Sequence, residues 1–160
     1  MKAKTLFIAI FALFVTTSVS AQTDATTGAS QQVSKTSEVQ TFYSPSEHLI
    51  LKFDIGSESV EVPTMEDFGL MHGYLKGHKE KKGEPYFYGV WTVTKIADEG
   101  TKKGIMMHIS NDFGSETQEA HFRQTSDSTW VLHLEGQTVM KRVVGRKLVK
   151  VSDNLVFQKM

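Results

Sequence analysis

The sequence predicts an all-β protein, an antiparallel meander of short strands that closes into a barrel, with a β-sandwich as the alternative. From Val39 to the end of the chain, no window places apolar residues at helical spacing. Short runs that alternate apolar and polar residues recur instead, and turn residues such as Gly, Ser, Asn and Asp separate them. Regular short strands with turns between them are typical of barrels and sandwiches.

Residues 1–21 are predicted to be a cleavable signal peptide. Two lysines come first, an apolar run from Leu6 to Val15 follows, and small residues end at Ala21. The apolar run is shorter than the ~20 residues that a membrane span requires, and no cysteine is present to carry a lipid. We therefore expect an exported, soluble protein of the periplasm or the extracellular medium, without a membrane span and not a lipoprotein.

Residues 22–38 are small and polar, which predicts a flexible leader, because such a segment buries too little apolar surface to fold. Residues 39–160 have the length of a single all-β domain. With no cysteine in the chain, burial rather than disulfide bonds must stabilise that domain. The chain has 18 basic and 18 acidic residues, and this balance favours neither nucleic acid nor an anionic membrane as a partner.

The predicted strands follow one another along the domain, each ended by a turn. The segment HLILKFDIGSESVEVP predicts two strands around Gly56, and the next segment predicts two longer strands around a charged turn, residues 79–83. Pro85 to Ile96 reads as one long strand that bends at Gly89. Further short strands are predicted in KKGIMMHIS, TQEAHFRQ, STWVLHLEG, TVMKRVV, KLVKV and LVFQKM.

Strand alternation predicts how the hairpin around Asp127 is paired. Its two strands send their apolar faces to the same core only if the turn is centred on Asp127 itself. This register places Phe122 opposite Leu132 on the core face. It also places His121 opposite His133 on the polar face.

The same reasoning on the preceding hairpin sets His108 opposite Glu119 and diagonal to His121. His108, His121 and His133 then share one polar face, which makes this face a candidate site for zinc or copper, since imidazole and carboxylate suit both metals. An ordinary solvent-exposed face accounts for the same residues. In a further interpretation, the facing histidines repel each other when protonated and make stability depend on mildly acidic pH.

Four aromatic side chains form the candidate ligand-binding set. These are Phe87, Trp91, Phe122 and Trp130. A plain hydrophobic core accounts for them, because a small domain must bury its large residues. However, a barrel of about eight strands has an interior just large enough for one small ligand. In that case the four side chains would line an apolar pocket.

Linear signatures of catalysis are missing from the sequence. The chain has no cysteine nucleophile, no Gly-x-Ser-x-Gly elbow and no His-Glu-x-x-His helix. We expect a protein that is not an enzyme. We also expect no cofactor, apart from the zinc or copper that the histidine face would suit.

The second half of the chain resembles a known family. The segment YGVWTVTKI, with its Gly-x-Trp, the short hairpins after it and the closing GRKLVKVSDNLVFQKM resemble the small secreted lipocalin-like (calycin-type) domains of bacteria, over roughly Gly89 to Met160. In that family the Gly-x-Trp strand usually opens the barrel, whereas strands from Val39 onward precede it here. The resemblance implies an antiparallel barrel that binds a small apolar molecule.

Three functional hypotheses follow. In the first, the chain is a secreted, non-enzymatic protein that holds a small apolar ligand in a β-barrel. In the alternative, it is a protein-interaction or surface-assembly module whose leader or exposed strand edge adds to a partner. In the second alternative, it is a metal-binding protein that uses the histidine face.

Overall fold

The structure, a computed structural model, describes residues 37–78 and 83–160. The predicted signal peptide, residues 22–36 of the predicted leader and residues 79–82 of the predicted charged turn lie outside these residues. The strands are β1 (Val39–Ser44), β2 (Leu49–Asp54), β3 (Val60–Glu61), β4 (Leu70–Met71), β5 (Gly73–Gly77), β6 (Tyr86–Phe87), β7 (Val90–Asp98), β8 (Ile105–Asn111), β9 (Thr117–Gln124), β10 (Trp130–Leu134), β11 (Lys141–Val144), β12 (Lys147–Lys150) and β13 (Asn154–Lys159). One short 3-10 helix, Glu66–Phe68, is also present. The described residues contain no helix long and apolar enough to span a bilayer.

Eight of the strands form a closed antiparallel barrel in the order β1, β13, β10, β9, β8, β7, β5, β2. Each barrel strand pairs with the next one along the chain, and β13 pairs with β1 through Phe42 and Lys159 to close the circle. The predicted all-β barrel is therefore confirmed, and the sandwich alternative is not adopted. Two small sheets lie outside the barrel, β12-β11-β6 and β3-β4.

Alternation along each strand separates the inside of the barrel from the outside. In β2, the side chains of Leu49, Leu51 and Phe53 are fully buried, whereas Ile50 and Lys52 between them are partly exposed. Successive side chains of a strand point to opposite faces, so the alternate residues that are apolar face the barrel interior. Burial of this interior is what stabilises a domain without disulfide bonds.

The prediction of one unbroken strand from Pro85 to Ile96 is wrong, although the predicted bend at Gly89 is present. The chain forms β6, leaves its sheet at Gly89, and begins β7 in the barrel at Val90. Gly89 has a φ of +78°, a left-handed conformation that residues with a Cβ rarely adopt. A glycine at this position therefore separates two strands that belong to different sheets.

The two ends of the barrel differ in what covers them. Because neighbouring strands are antiparallel, the turns 99–104 (β7–β8) and 125–129 (β9–β10) lie at the same end, which we call the Trp130 end. The sheet β12-β11-β6 lies at the opposite end, which we call the Phe87 end. Phe87 and Met140 are buried there and belong to the same hydrophobic core as the barrel interior.

Candidate functional site

A cleft of about 580 Å³ opens at the Trp130 end, between the turns 99–104 and 125–129. Its lining includes Asp98, Ile105, Gln124, Ser126, Asp127 and Trp130. Trp130 and Ile105, the two large apolar residues of this set, are partly buried, whereas the polar residues are exposed. The cleft therefore combines an apolar base with a polar, acidic rim.

The indole of Trp130 rests on a cluster of buried aromatic rings. Trp130 and Phe122 are stacked, with ring centroids 5.1 Å apart and an interplanar angle of 15°. Phe42 meets both rings edge-on, at 4.8 Å from Phe122 and 5.1 Å from Trp130. Phe53 and Phe157 pack edge-on against Phe122, at 5.7 and 5.8 Å. These contacts fill the barrel interior below the cleft and hold Trp130 in one orientation.

The structure divides the predicted ligand-binding set between the two ends of the barrel. Phe122 and Trp130 belong to the cluster beneath the cleft, with Phe122 fully buried. Phe87 and Trp91 lie at the Phe87 end, where they are 2% and 3% exposed. Trp91 borders a different and smaller cleft of about 280 Å³, beside Phe113. The four side chains therefore do not surround one common cavity.

The polar residues of the cleft were not identified from the sequence. Asp98 lies at the end of β7, whereas Gln124, Ser126 and Asp127 lie at the end of β9 and in the turn after it. Sequence alternation places Asp127 at the centre of a hairpin, but it does not say which other turn lies beside that hairpin. That proximity follows from the pairing of β7, β8 and β9 in the barrel.

The predicted registers of the histidine face are confirmed. His121 is directly opposite His133 in the β9–β10 pair, and His108 is opposite Glu119 in the β8–β9 pair. His121 and His133 also line a shallow groove of about 430 Å³ on the outside of the barrel, together with Lys102, Lys103, Arg123 and Glu135. This polar face is therefore outside the barrel, away from the aromatic core.

Carboxylates surround the two facing imidazoles. His121 Nδ1 lies 3.5 Å from Glu99 Oε2, and His121 Nε2 lies 3.9 Å from Glu119 Oε1. One oxygen of Glu135, Oε1, lies 3.7 Å from His121 Nε2 and 3.8 Å from His133 Nε2. A carboxylate between two imidazoles counters the repulsion between them when both are protonated. The interpretation of this pair as a source of acid sensitivity stays a prediction.

A coordination site is not formed on this face. Among residues 37–78 and 83–160, no group of three or more His, Cys, Asp or Glu side chains is arranged to hold a metal ion. Binding of zinc or copper by the three histidines therefore stays a prediction from the sequence.

A buried carboxylate, Asp54, organises the chain where it enters the barrel. Asp54 is fully buried, and it accepts hydrogen bonds from the hydroxyls of Ser37, Ser57 and Ser59 and from the backbone N–H of Gly56. Burial raises the pKa of Asp54, but these hydrogen bonds outweigh burial and hold the pKa well below its ordinary value. The ionised carboxylate therefore ties Ser37 to the loop after β2.

Replacement of Asp54 by asparagine is expected to destabilise the protein at neutral pH and to flatten its acid dependence. The pKa of Asp54 is lower in the folded chain than the value of about 3.9 in an unfolded chain, so its contribution is complete above about pH 4. That contribution is lost progressively as the pH falls below this value. Urea denaturation of the wild type and Asp54→Asn at a series of acidic pH values measures the difference.

The matched control is Asp112→Asn, because Asp112 is exposed in a turn. This control should follow the wild type at every pH. If Asp54→Asn lost stability on acidification in parallel with the wild type, the hydrogen-bonded carboxylate would not be the cause of the acid dependence.

No family model, curated protein or solved structure matches this chain. The structure shows an eight-stranded closed antiparallel barrel with a buried aromatic cluster. Membership in the lipocalin-like family stays a prediction from the sequence motifs. Any functional conclusion must therefore be argued from the geometry of the barrel and its clefts.

Proposed function

We propose that the protein is a non-enzymatic, exported binding protein that holds a small ligand with an apolar face in the cleft at the Trp130 end. One observation carries the proposal: a partly exposed indole, stacked on Phe122, borders a cleft of about 580 Å³. Binding sites for small molecules have volumes of roughly 300–1,000 Å³ and pair apolar surface with a few polar groups. The volume of the cleft lies in this range, and Ile105 and Trp130 supply its apolar surface among polar residues.

The cleft, rather than the barrel interior, is the place for the ligand. Phe42, Phe53, Phe122 and Phe157 occupy the interior in mutual contact, so a ligand rests on Trp130 at the mouth of the barrel. An indole already held by other rings loses little side-chain entropy when a ligand stacks on it. This preorganisation favours a flat, ring-containing ligand.

The rim of the cleft defines the polar part of the ligand. Asp98 and Asp127 supply carboxylates, and Gln124 supplies an amide, around the apolar base. Carboxylates accept hydrogen bonds and attract positive charge. The ligand class supported by the cleft is therefore an apolar ring with hydrogen-bond donors or a cationic group at its edge. The resemblance to lipocalin-like domains also supports binding rather than catalysis.

The proposal is tested by following the fluorescence of Trp130. The chain has two tryptophans, so the tryptophan fluorescence of a Trp91→Phe protein comes from Trp130 alone. Trp91 itself is 3% exposed. Titration with N-phenyl-1-naphthylamine, a neutral aromatic probe, is expected to quench the emission of Trp130 with saturation at one site. Absence of saturable quenching would contradict the proposal, and the substitutions that follow test whether the probe binds in the cleft.

Two substitutions in one exposed turn distinguish probe binding in the cleft from probe binding elsewhere on the surface. Ser126 lines the cleft, whereas Ser128 lies outside its lining, and both are exposed. Ser126→Phe should fill the cleft and weaken probe binding by at least about tenfold, because a clash of about 1.4 kcal/mol suffices for that factor. Ser128→Phe should leave binding unchanged. Equal effects of the two substitutions would overturn the assignment.

A further inference from the structure

The β11–β12 hairpin, residues 141–150, concentrates positive charge in a chain whose total charge is balanced. The segment reads KRVVGRKLVK and contains no acidic residue. Its basic residues are Lys141, Arg142, Arg146, Lys147 and Lys150. We call this segment the basic hairpin. The balanced total charge of the chain predicts no attraction to an anionic membrane. This segment nevertheless carries a local excess of positive charge.

Acidic residues pair with only two of the five basic side chains of the hairpin, Lys141 and Arg142. Arg142 Nη1 lies 2.9 Å from Glu47 Oε2, and Lys141 Nζ lies 3.8 Å from Glu116 Oε1. In the part of the chain that the structure describes, Arg146, Lys147 and Lys150 form no ion pair. Lys150 is directly opposite Lys141, a like-charge pairing that destabilises a hairpin by itself.

The same hairpin exposes large apolar side chains. Val144, Leu148 and Val149 are 39%, 53% and 41% exposed, and β12 is exposed at all four of its positions. Because successive side chains alternate, Val144 and Val149 lie on one face of the hairpin and Leu148 on the other. Exposure on both faces means that this part of the hairpin projects from the barrel into solvent.

We propose that the basic hairpin docks onto a membrane surface that contains anionic lipids. The hairpin inserts tip first, so that Val144, Leu148 and Val149, from its two faces, reach the boundary between headgroups and acyl chains. The long side chains of Arg146, Lys147 and Lys150 extend back to the lipid phosphates. Membrane-surface segments combine apolar and basic side chains in this way, because apolar burial and attraction to anionic lipid add together. The docking is peripheral and needs no membrane span.

The apolar residues favour a membrane over a soluble polyanion. A nucleic acid or an acidic polysaccharide would neutralise the cations of the hairpin, but it would leave Val144, Leu148 and Val149 exposed to water. A lipid surface contacts both kinds of side chain at once. The occupant that accounts for the whole hairpin is therefore an anionic lipid surface.

The position of the hairpin in the barrel allows docking and ligand binding to occur together. The basic hairpin lies at the Phe87 end, whereas the cleft opens at the Trp130 end. The cleft wall also carries Asp98 and Asp127, which an anionic surface repels. Docking through the hairpin therefore leaves the cleft facing away from the membrane. The proposed docking does not depend on the proposed ligand.

The test is co-sedimentation of the purified protein with vesicles of phosphatidylcholine, with and without phosphatidylglycerol. Binding is expected only when phosphatidylglycerol is present, and it should weaken at high salt because salt screens the attraction. The triple variant Arg146→Gln/Lys147→Gln/Lys150→Gln should bind on the order of a hundredfold more weakly. That estimate follows because each basic residue near an anionic surface contributes a factor of about five.

A matched charge control removes three exposed lysines elsewhere, with the same N-terminus in every protein. Lys102→Gln/Lys103→Gln/Lys159→Gln changes the net charge equally but leaves the basic hairpin intact, so its binding should equal that of the wild type. Equal loss in the two triple variants would overturn the proposal, because net charge rather than the hairpin would then drive binding.

A second variant separates membrane docking from binding of a polyanion or a protein. Val144→Thr/Leu148→Thr/Val149→Thr keeps every charge and removes the apolar surface, and it should lose most of the binding to phosphatidylglycerol vesicles. Since these positions are exposed, circular dichroism should show both hairpin variants folded. Undiminished vesicle binding by this variant would overturn docking on lipid and indicate a purely electrostatic partner. Equal binding to vesicles without phosphatidylglycerol would also contradict the proposal.

Discussion

Replacement of Phe122 by alanine is expected to lower the free energy of unfolding by about 3–5 kcal/mol, the usual cost of removing a buried phenylalanine ring. Phe122 is fully buried, and its ring contacts those of Phe42, Phe53, Trp130 and Phe157. The substitution creates a cavity that these neighbours, held by their own strands, fill only in part. Urea denaturation at neutral pH measures the loss.

The matched control is Phe113→Ala, which makes the same chemical change at a side chain that is 86% exposed. Substitutions at such surface positions change stability by no more than about 0.5 kcal/mol. A loss for Phe122→Ala as small as that of the control would mean that the aromatic cluster is not the core of the barrel. It would also remove the support that we assign to Trp130.

Replacement of Gly104 by alanine is expected to cost about 2–5 kcal/mol. Gly104 has a φ of +85°, and a residue with a Cβ pays about 1–2 kcal/mol for a left-handed conformation. In addition, a Cβ at this position would overlap the carbonyl oxygen of Phe122 and lie 2.9 Å from the Cβ of Arg123. Displacing a packed backbone adds about 1–3 kcal/mol. Thermal and urea denaturation both measure the effect.

Gly100 provides the control within the same turn. Its φ is +86°, almost the value of Gly104, but a Cβ there would meet no atom within 4 Å. Gly100→Ala should therefore show the cost of the backbone conformation alone, about 1–2 kcal/mol. Equal losses of stability in the two variants would show that β9 shifts at little cost to accommodate a Cβ at position 104. The turn 99–104 would then not be packed tightly against β9.

The two ends of the barrel have different chemistry, and the proposals assign them different roles. The Trp130 end combines a supported indole with carboxylates, which suits a small ligand. The Phe87 end carries the basic hairpin, which suits an anionic surface. A protein with both would carry a small molecule while docked on a membrane, and each role can fail its experiment without affecting the other.

The local pairing of the strands could be predicted from the sequence because side-chain alternation has a period of two residues. A one-residue shift in the β9–β10 hairpin would send Phe122 and Leu132 outward, so burial allows only one register. That register correctly placed His121 opposite His133. It could not place Glu99 beside His121, because Glu99 lies in a turn where alternation ends.

Alternation also failed where a strand ends without an obvious break in composition. The segment from Pro85 to Ile96 has the aromatic and β-branched residues of one long strand, but a left-handed Gly89 divides it between two sheets. The sequence indicated a bend at this glycine. Whether the strand continued after the bend depended on β11, whose pairing with β6 holds the first part in a different sheet.

The sequence by itself therefore determined the all-β class, the approximate positions of most strands and the registers of neighbouring hairpins, since these follow from local alternation and turn chemistry. Only the tertiary structure decided that β13 closes on β1, that aromatic rings fill the interior, and that the turns 99–104 and 125–129 form one cleft. These features depend on contacts between residues far apart in the chain. Such contacts arise from packing the whole barrel, and no pattern within a single strand records them.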